Sequence, residues 1–265
     1  MSALHATSAL TLSIVSHGHG PMLARLLDDL SRLGSLAGSK VIVTLNQPGE
    51  AFDAASWPNL DIAVLRNRAS RGFGANHNSA FAHCHTPWFV VLNPDLRLPK
   101  DPFPALLQEA GSRADLGVIA PRIIDSTGDR EDSVRANLTP WSLLQRVVNR
   151  KAGGVDVSDG APREIGFYWL AGMFMLFSAR AFRQVGGFDE RFFLYCEDYD
   201  ICARLWRAGF VLGVGQDSVA VHDAQRNSRR SIRYLAMHAT SLLKVWTSAA
   251  FWRVTLRNKH VSATS

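Results

Sequence analysis

Three acidic residues lie close together at Glu197, Asp198 and Asp200, directly after an aromatic segment at 192–195. A carboxylate among aromatic side chains can have a raised pKa, which suits it to accept a proton from a hydroxyl group. Acidic residues are also favoured in the first turn of a helix, because they interact with the helix dipole. The cluster therefore predicts either a general base or the start of a helix.

Asp95 and His222 are candidate ligands for a divalent cation. Asp95 follows an apolar run at 88–92 and Pro94. Proline cannot donate to a sheet ladder, so we expect the strand to end there, with Asp95 at the edge where open α/β sheets bind ligands. His222 ends a second apolar run. Carboxylate and phosphate oxygens together with an imidazole nitrogen suit Mn2+ or Mg2+. The alternatives are a turn residue at Asp95 and an ordinary core or surface histidine at His222.

The elements that would position these residues alternate between strands and helices in the N-terminal half, which favours a parallel sheet built from βαβ units. The patterns predict strands at 10–15, 41–45, 60–65 and 89–92, and helices at 21–33 and 72–83. Parallel strands end at one rim, where ligands bind in such sheets. We therefore expect a shared crevice lined by Ser16, His17, Asn46, Arg71, Asn76 and Asp95.

The C-terminal half is predicted to continue the same domain. The patterns indicate a helix at 99–111, a strand at 117–120, a polar insertion at 125–165 with a helical patch at 141–149, one strand at 167–177, helices at 179–185 and 198–207, strands at 211–214 and 218–221, and a basic helical tail. We predict one domain over 1–265, in three parts at 1–120, 121–225 and 226–265.

Composition narrows the classes of partner. The formal net charge is +6, which favours anionic partners such as nucleotide phosphates or an acidic membrane surface. The three cysteines are odd in number and lack a C-x-x-C pair, which argues against a disulfide framework or a zinc site and for a reducing cytosol. No signal peptide, membrane-spanning run or recognised nucleic-acid motif is evident. We expect a cytoplasmic protein whose tail lies on the anionic inner face of the plasma membrane, with no nucleic acid as partner.

Four segments, taken in order, resemble motifs of family 2 glycosyltransferases with the GT-A fold, and most closely those of bacterial rhamnosyltransferase-like enzymes. The segments are 71–78 (RGFGANHN), 92–95 (LNPD), 169–177 (WLAGMFMLF) and 185–200 (VGGFDERFFLYCEDYD). The resemblance covers residues 10–240. It implies an α/β fold with a mostly parallel sheet flanked by helices. In this fold, 1–120 would be the nucleotide-binding half, 121–225 the acceptor and catalytic half, and 226–265 the basic helical tail.

The resemblance also implies roles for individual residues. It implies a nucleotide-sugar site formed by Ser16, His17, Asn46, Arg71, Gly72, Phe73, Asn76, Asn93 and Asp95, and an acceptor site at Trp169 and Gly172. Asp95 and His222 would hold Mn2+ or Mg2+ on the donor diphosphate. Asp198 would be the base that deprotonates the acceptor, with Glu197 as second choice. The implied reaction is inverting transfer of rhamnose from dTDP-rhamnose, or of a hexose from a UDP-sugar, to a saccharide or lipid-linked saccharide in cell-surface polysaccharide synthesis.

Three positions depart from the pattern of that family. The segment Asn93-Pro94-Asp95 offers one carboxylate for metal. The second strand ends in Thr44-Leu45-Asn46, where many members have an aspartate followed by an asparagine, and His17 stands where tyrosine is common. Two other functions remain open on sequence alone. One is a nucleotidyltransferase, although residues 16–20 lack the basic residues of its glycine-rich signature. The other is an inactive module that binds a saccharide or a nucleotide.

Overall fold

The computed structural model of the chain describes residues 10–142, 166–223 and 232–262. Its strands are β1 (Leu10–Ser16), β2 (Lys40–Leu45), β3 (Asp61–Arg66), β4 (Trp88–Leu92), β5 (Leu96–Arg97), β6 (Leu116–Asp125), β7 (Val134–Ala136), β8 (Tyr168–Leu170), β9 (Phe174–Ser178) and β10 (Val211–His222). Eight of them form one sheet in the order β3-β2-β1-β4-β9-β6-β10-β5, and β7 pairs with β8 alone. The first four strands of that order run parallel, as do β6 and β10, while β9 is antiparallel to both of its neighbours.

Helices cover both faces of the sheet. They are α1 (Gly20–Ser31), α2 (Phe73–Phe81), α3 (Phe103–Gly111), α4 (Ala179–Gln184), α5 (Glu197–Arg207), α6 (Ile232–Trp246) and α7 (Ala249–Ser262). Successive residues of a strand point to opposite faces. In β4, Phe89 and Val91 accordingly join the core under α2, α4 and α5, whereas Val90 and Leu92 join the core under α1 and α3. The mostly parallel α/β architecture predicted from the sequence is confirmed.

Two predicted strand boundaries in the C-terminal half are wrong. The apolar run 167–177 is not one strand, because the chain breaks at 171–173 and forms β8 and β9 in two different sheets. The two strands predicted at 211–214 and 218–221 are a single strand, β10, with a shift in its register between Gly215 and Val219. An apolar run does not show whether 167–177 is one strand or two, because the residues on both sides of the break are buried.

The short strand β5 was not predicted, and a buried carboxylate holds it in place. Asp29 of α1 accepts hydrogen bonds from Nε of Arg97 (2.6 Å) and from the N–H of Leu98 (3.0 Å). Arg97 lies in β5, which runs antiparallel to the end of β10 with Leu96 opposite His222. Burial alone would raise the pKa of Asp29, but Arg97, Leu98 and Arg32 outweigh it and lower the pKa. This contact fixes the end of β10, and with it His222.

Helices α6 and α7 form the C-terminal part of the described chain. Helix α6 packs on α7, and α7 packs on α5. Among the described residues, no helix is long and apolar enough to cross a membrane. Most of the helical patch predicted at 141–149 lies outside the described residues, as does the start of the predicted tail at 226–231.

Candidate active site

The carboxyl ends of β1, β2 and β4 meet along one edge of the sheet, where the sequence predicted a crevice. An amide cluster formed by Asn46, Asn67 and Asn76 lies at this edge. Asn67 donates from Nδ2 to Oδ1 of Asn46 (2.8 Å) and to Oδ1 of Asn76 (2.6 Å). Asn46 also accepts from the N–H of Arg71 (2.8 Å) and donates to its carbonyl oxygen (3.0 Å). The cluster therefore holds the backbone at Arg71 from both sides.

Asn76, the third member of the amide cluster, is fully buried at the start of α2. Its Nδ2 donates to the carbonyl oxygens of Arg71 (3.2 Å) and Gly72 (3.0 Å). Asn46 and Asn76 thus both hold the backbone of the loop that begins at Arg71. The side chain of Arg71 is exposed and contacts Ser79 (2.7 Å) and Glu190 (3.5 Å). Phe73 is partly buried and packs against His77 and Phe188.

Ser16 and His17 follow β1 on the same edge. The hydroxyl of Ser16 is buried and donates to the carboxylate of Glu50, which also accepts the N–H of Gly18 (3.2 Å). This pairing shapes the turn after β1. His17 is exposed, and its Nδ1 lies 3.3 Å from Nδ2 of Asn46. The structure therefore brings together Ser16, His17, Asn46, Arg71 and Asn76, which are five of the six residues predicted to line one crevice. The sixth, Asp95, contacts His222 instead.

Gly72 and Phe73 connect this edge to the acidic segment. The N–H of Phe73 donates to the carbonyl oxygen of Phe193 (2.9 Å). A Cβ on Gly72 would lie 2.8 Å from that same oxygen, so the two backbones can approach only because residue 72 has no side chain. A Cβ on Gly172 would lie 3.3 Å from the ring of Phe73 and 3.6 Å from Cβ of Asp198. The loop at 71–73 is therefore in contact with the surroundings of Asp198.

Asp95 and His222 are in contact, as the sequence predicted for a shared cation site. Nε2 of His222 lies 3.2 Å from Oδ2 of Asp95, and Nδ1 lies 2.6 Å from Oε2 of Glu131. Burial alone would lower the pKa of His222, but the two carboxylates outweigh it and raise the pKa to about 8. Glu131 was not singled out in the sequence, since it lies in a polar stretch with no motif around it.

Asp95 and His222 fit a divalent cation that also has ligands from elsewhere. Oδ1 of Asp95 is buried and has no hydrogen-bond partner among the described residues, which leaves one carboxylate oxygen for a ligand. Within those same residues, no group of three or more His, Cys, Asp or Glu side chains could hold a metal ion alone. A cation here would need further oxygens, and the phosphate groups of a nucleotide are oxygen donors that Mn2+ and Mg2+ accept.

The acidic segment begins with a strained turn. Tyr195 and Cys196 have φ angles of 74° and 66°, and among the described residues they are the only ones other than glycine with positive φ. Such backbone geometry persists only where the surrounding structure enforces it, and it is common at functional sites. The turn leads directly into α5, so Glu197 and Asp198 stand at its first two positions.

Glu197, Asp198 and Asp200 have different surroundings. Asp200 is buried and paired with Arg204 (2.7 Å). Glu197 is also buried, and its Oε2 has no hydrogen-bond partner within the described chain. Asp198 is only partly buried, and its Oδ2 accepts the N–H of Gly172 (3.0 Å). Of these three acidic residues, Asp198 is the only one that is not fully buried.

Burial raises the pKa of both Glu197 and Asp198. For Asp198, the positive charge of Arg135 and the N–H groups of Gly172 and Tyr199 oppose the effect of burial. For Glu197, the pKa is well above its usual range because burial is reinforced by the negative charge of Asp198. Two adjacent carboxyl groups with raised pKa values are suited to exchange protons with a substrate.

Gly172 lies between Asp198 and the ring of Phe73, and Trp169 belongs to strand β8, which precedes Gly172. Trp169 is buried, packs against Tyr199 and donates from Nε1 to the carbonyl oxygen of Ala136 (3.0 Å). The guanidinium of Arg135 lies over its ring at 5.1 Å. Trp169 is therefore part of the wall that holds Arg135 near Asp198. Sequence reasoning missed Arg135, because its place opposite Trp169 depends on the pairing of β7 with β8.

Comparison with known proteins identifies relatives over most of the chain. The model of the family described as "Glycosyl transferase family group 2" matches residues 88–256. The N-acetylglucosaminyl-diphospho-decaprenol L-rhamnosyltransferase of Mycobacterium tuberculosis is 28% identical over 285 residues, which cover 95% of this chain and 89% of the relative. Rhamnosyltransferase WbbL of Escherichia coli is 28% identical over 229 residues, which cover 82% of this chain and 84% of that protein.

Solved structures share the fold. The mannosyltransferase PcManGT from Pyrobaculum calidifontis, in complex with GDP-Man and Mn2+, matches with a TM-score of 0.58 and 15% identity over 83% of this chain and 58% of its own. GalNAc-T7, with UDP, GalNAc and Mn2+, matches with a TM-score of 0.64 and 14% identity over 83% of this chain and 44% of its own. The fold is therefore GT-A, as the motifs predicted. The chain spans less than two thirds of either solved structure.

Proposed function

Because the chain belongs to the glycosyl transferase family group 2, we propose that it moves rhamnose from a nucleotide-sugar to a lipid-linked saccharide, with inversion at the anomeric carbon. The observation that carries the proposal is the position of Asp198. Asp198 is partly buried and the pKa of its carboxyl group is raised. Its neighbour Gly172 lies beside Phe73 of the loop at 71–73, and Met173, next to Gly172, accepts the N–H of Asn93 at the end of β4. The choice of rhamnose rests on the names of the relatives.

The proposed reaction is a single displacement. The acceptor hydroxyl attacks the anomeric carbon of the sugar, and the bond from that carbon to the diphosphate oxygen breaks as the new bond forms. Asp198 removes the hydroxyl proton during the attack. Its accessibility favours Asp198 over Glu197, which is buried. Asp198 accepts the N–H of Gly172 at Oδ2 (3.0 Å) and the N–H of Tyr199 at Oδ1 (2.9 Å), which fixes the orientation of its carboxylate.

Asp95 and His222 would hold the divalent cation of this proposal. Such an ion neutralises the charge that develops on the leaving diphosphate. Asn93 connects this end of β4 to the acidic segment, because its N–H donates to the carbonyl oxygen of Met173 (2.9 Å), next to Gly172. The exposed guanidinium of Arg71 and the ring of Phe73 are the side chains that we propose for donor contact.

A panel of nucleotide-sugars tests the donor. Thermal unfolding should be followed with dTDP-rhamnose, UDP-glucose, UDP-N-acetylglucosamine and GDP-mannose, each with and without Mn2+. A donor that binds the folded state at a hundred times its Kd should add about 2.7 kcal/mol to the free energy of unfolding. We expect the largest rise in Tm with dTDP-rhamnose and Mn2+. If no donor raises Tm, the proposed function is wrong. If donors bind but no lipid-linked saccharide accepts the sugar, the chain is a binding module.

We also propose that α6 and α7 rest on an anionic membrane, where a lipid-linked acceptor would be found. Leu243, Trp252 and Leu256 are large apolar side chains that remain more than half exposed there. Lys244 and Arg253 lie in the same two helices. Apolar side chains with neighbouring positive charges bind at the interface of anionic lipid.

Vesicle sedimentation tests this contact. The protein should sediment with phosphatidylglycerol vesicles and much less with phosphatidylcholine vesicles. Replacing Trp252 and Leu256 by glutamate should weaken the binding at least about tenfold, since two apolar side chains no longer enter the lipid. The Gln108→Glu and Lys100→Gln double variant makes the same change in net charge on the opposite part of the fold. Equal binding by both double variants would exclude the proposed surface.

A further inference from the structure

Glu131 contacts His222 on the side of the ring away from Asp95. Its Oε2 lies 2.6 Å from Nδ1, while Oδ2 of Asp95 lies 3.2 Å from Nε2. We propose that Glu131 is a positioning residue of the cation site, which orients His222 so that Nε2 faces the ion and does not itself bind the ion. The inference rests on the proposed function in one respect, namely that a cation binds at Asp95 and His222.

A hairpin at the end of β6 brings Glu131 to His222. Asp125, the last residue of β6, lies opposite His222 in the parallel pairing with β10. Oδ1 of Asp125 accepts the N–H groups of Thr127 (2.9 Å) and Asp129 (3.0 Å), which closes the turn. The N–H of Glu131 then returns to the carbonyl oxygen of Ile123 (2.9 Å). The backbone of Glu131 is thus bonded to Ile123, which lies in β6 two residues before Asp125, the partner of His222.

The geometry of an imidazole ring separates the two carboxylates. Nδ1 and Nε2 point away from each other, so one ion cannot be bound through Nε2 and also lie between Nδ1 and Glu131. This agrees with the finding that, among the described residues, no three such side chains are arranged around a common metal position. Asp95 is therefore the carboxylate on the ion's side of the ring, and Glu131 is the carboxylate behind it.

The hydrogen bond from His222 to Glu131 has a chemical consequence for metal binding. A neutral imidazole carries one N–H, and a carboxylate acceptor at Nδ1 favours the form with the hydrogen there. The lone pair of Nε2 is then available to a cation. Histidine ligands in metal sites commonly have such a partner, and its loss weakens metal binding by about 10- to 100-fold. The side chains of Glu131 and His222 are only 23% and 15% exposed, so water competes weakly for the contact.

Three variants at one position separate orientation from charge. Glu131→Gln keeps the length of the side chain and an acceptor oxygen for the Nδ1 hydrogen, but it is neutral. Glu131→Asp keeps the charge, but its carboxylate is one methylene too short to reach Nδ1. Glu131→Met keeps the length and has no strong acceptor. Asp129→Asn removes a charge from the same hairpin without touching His222, and it is the control.

The measurement is Mn2+ affinity, taken from the signal of free Mn2+ in electron paramagnetic resonance with saturating dTDP or UDP present. We expect Glu131→Asp and Glu131→Met to bind Mn2+ about 10- to 100-fold more weakly than the wild type. Glu131→Gln and Asp129→Asn should stay within a few-fold of it. Coupling of bound Mn2+ to an imidazole nitrogen should persist in Glu131→Gln and fade in Glu131→Asp.

Each outcome bears on a definite claim. If Glu131→Gln is as weak as Glu131→Met while Glu131→Asp is normal, Glu131 acts by its charge and the positioning role is wrong. If all variants bind Mn2+ like the wild type, Glu131 has no part in the site. If the wild type binds no Mn2+ with either nucleotide, the cation in the proposed function is wrong instead. Should one variant fail to fold, the order of the remaining two against the wild type still decides the question.

Discussion

Replacing Asp198 by asparagine should lower kcat for sugar transfer by roughly 10²- to 10⁴-fold, which is the usual contribution of a positioned general base. Asparagine can still accept the N–H of Gly172 but cannot take up a proton. Donor affinity, measured by the rise in Tm with the nucleotide-sugar, should stay within a few-fold of the wild type. A variant that transfers sugar at the normal rate would show that Asp198 is not the base.

The pH dependence of kcat is a second test of Asp198 as the base. Asp198 must be ionised to act, and its pKa is raised by burial, against the opposing effect of Arg135. The rate should therefore fall as the pH drops through a value above the ordinary pKa of an aspartate, which is about 3.9. Replacing Arg135 by glutamine removes the opposing charge, so the fall should begin at a higher pH. An unchanged profile would argue against an influence of Arg135 on the base.

The stability of Asp198→Asn distinguishes loss of chemistry from loss of fold. A carboxyl group whose pKa is higher in the folded than in the unfolded state destabilises the fold once it ionises, that is, as the pH rises through the folded-state pKa. The neutral variant should thus be at least as stable as the wild type at neutral pH. Asp217→Asn, an exposed residue on β10, is the control and should change neither kcat nor Tm. Lower stability in Asp198→Asn would contradict this account.

Glu197→Gln gives a second comparison at the same site. Glu197 is buried, whereas Asp198 is only partly buried, so Asp198 is the better placed of the two to meet an acceptor. We expect this variant to keep much more activity than Asp198→Asn. If Glu197→Gln were the more damaged of the two, the roles of the adjacent carboxylates would have to be exchanged.

Removing the cation should have the next largest effect. Treatment with a chelator, or replacement of Asp95 by asparagine, should lower kcat/KM by roughly 10²- to 10³-fold, because a bound metal ion supplies several kcal/mol of charge stabilisation in a transition state. His222→Ala should act in the same direction. In the chelated wild type, added Mn2+ should restore the activity, while the two variants should respond only at much higher Mn2+. His85→Ala, at an exposed histidine elsewhere, should behave like the wild type.

The single carboxylate of the Asn93-Pro94-Asp95 segment makes this test informative. If the chelated wild type and Asp95→Asn keep full activity, the transfer does not depend on a cation, and the protonated His222 beside Asp95 would be the positive charge at that position. Its pKa of about 8 means that His222 carries this charge at neutral pH without a metal. The metal expectation would then be wrong, although the base assignment would stand.

Local patterns determined most of the fold. The strands β1 to β4 follow from short apolar runs that end at polar or turn residues, and α1 follows from its apolar face, with Pro21 in its first turn. These signals are carried by neighbours in sequence, so no tertiary contact is needed to recognise them. The motifs at 71–78, 92–95 and 185–200 likewise indicated the family, and the first and third of them are in contact through Phe73 and Phe193.

Tertiary structure decided which of those residues are buried and which are accessible. Asn76 was expected to contact the donor, yet it is fully buried and holds the loop. Glu197 and Asp198 are neighbours in sequence, and only the turn at Tyr195 and Cys196 sets which of them faces outward. Successive residues in a helix point about 100° apart, so the phase of the first turn decides exposure. That phase depends on contacts with distant segments.

The candidate base and the candidate cation site show the same limit. The sequence by itself identified Asp95 and His222 as candidate cation ligands and Asp198 as a candidate base. It did not reveal Glu131 or Arg135, because each reaches the site through strand pairings, of β6 with β10 and of β7 with β8. Residue type and periodicity determine which elements form, whereas the partners of a charged side chain depend on which elements pack together. The family and the fold were therefore readable from the sequence, and the supporting contacts of the site were not.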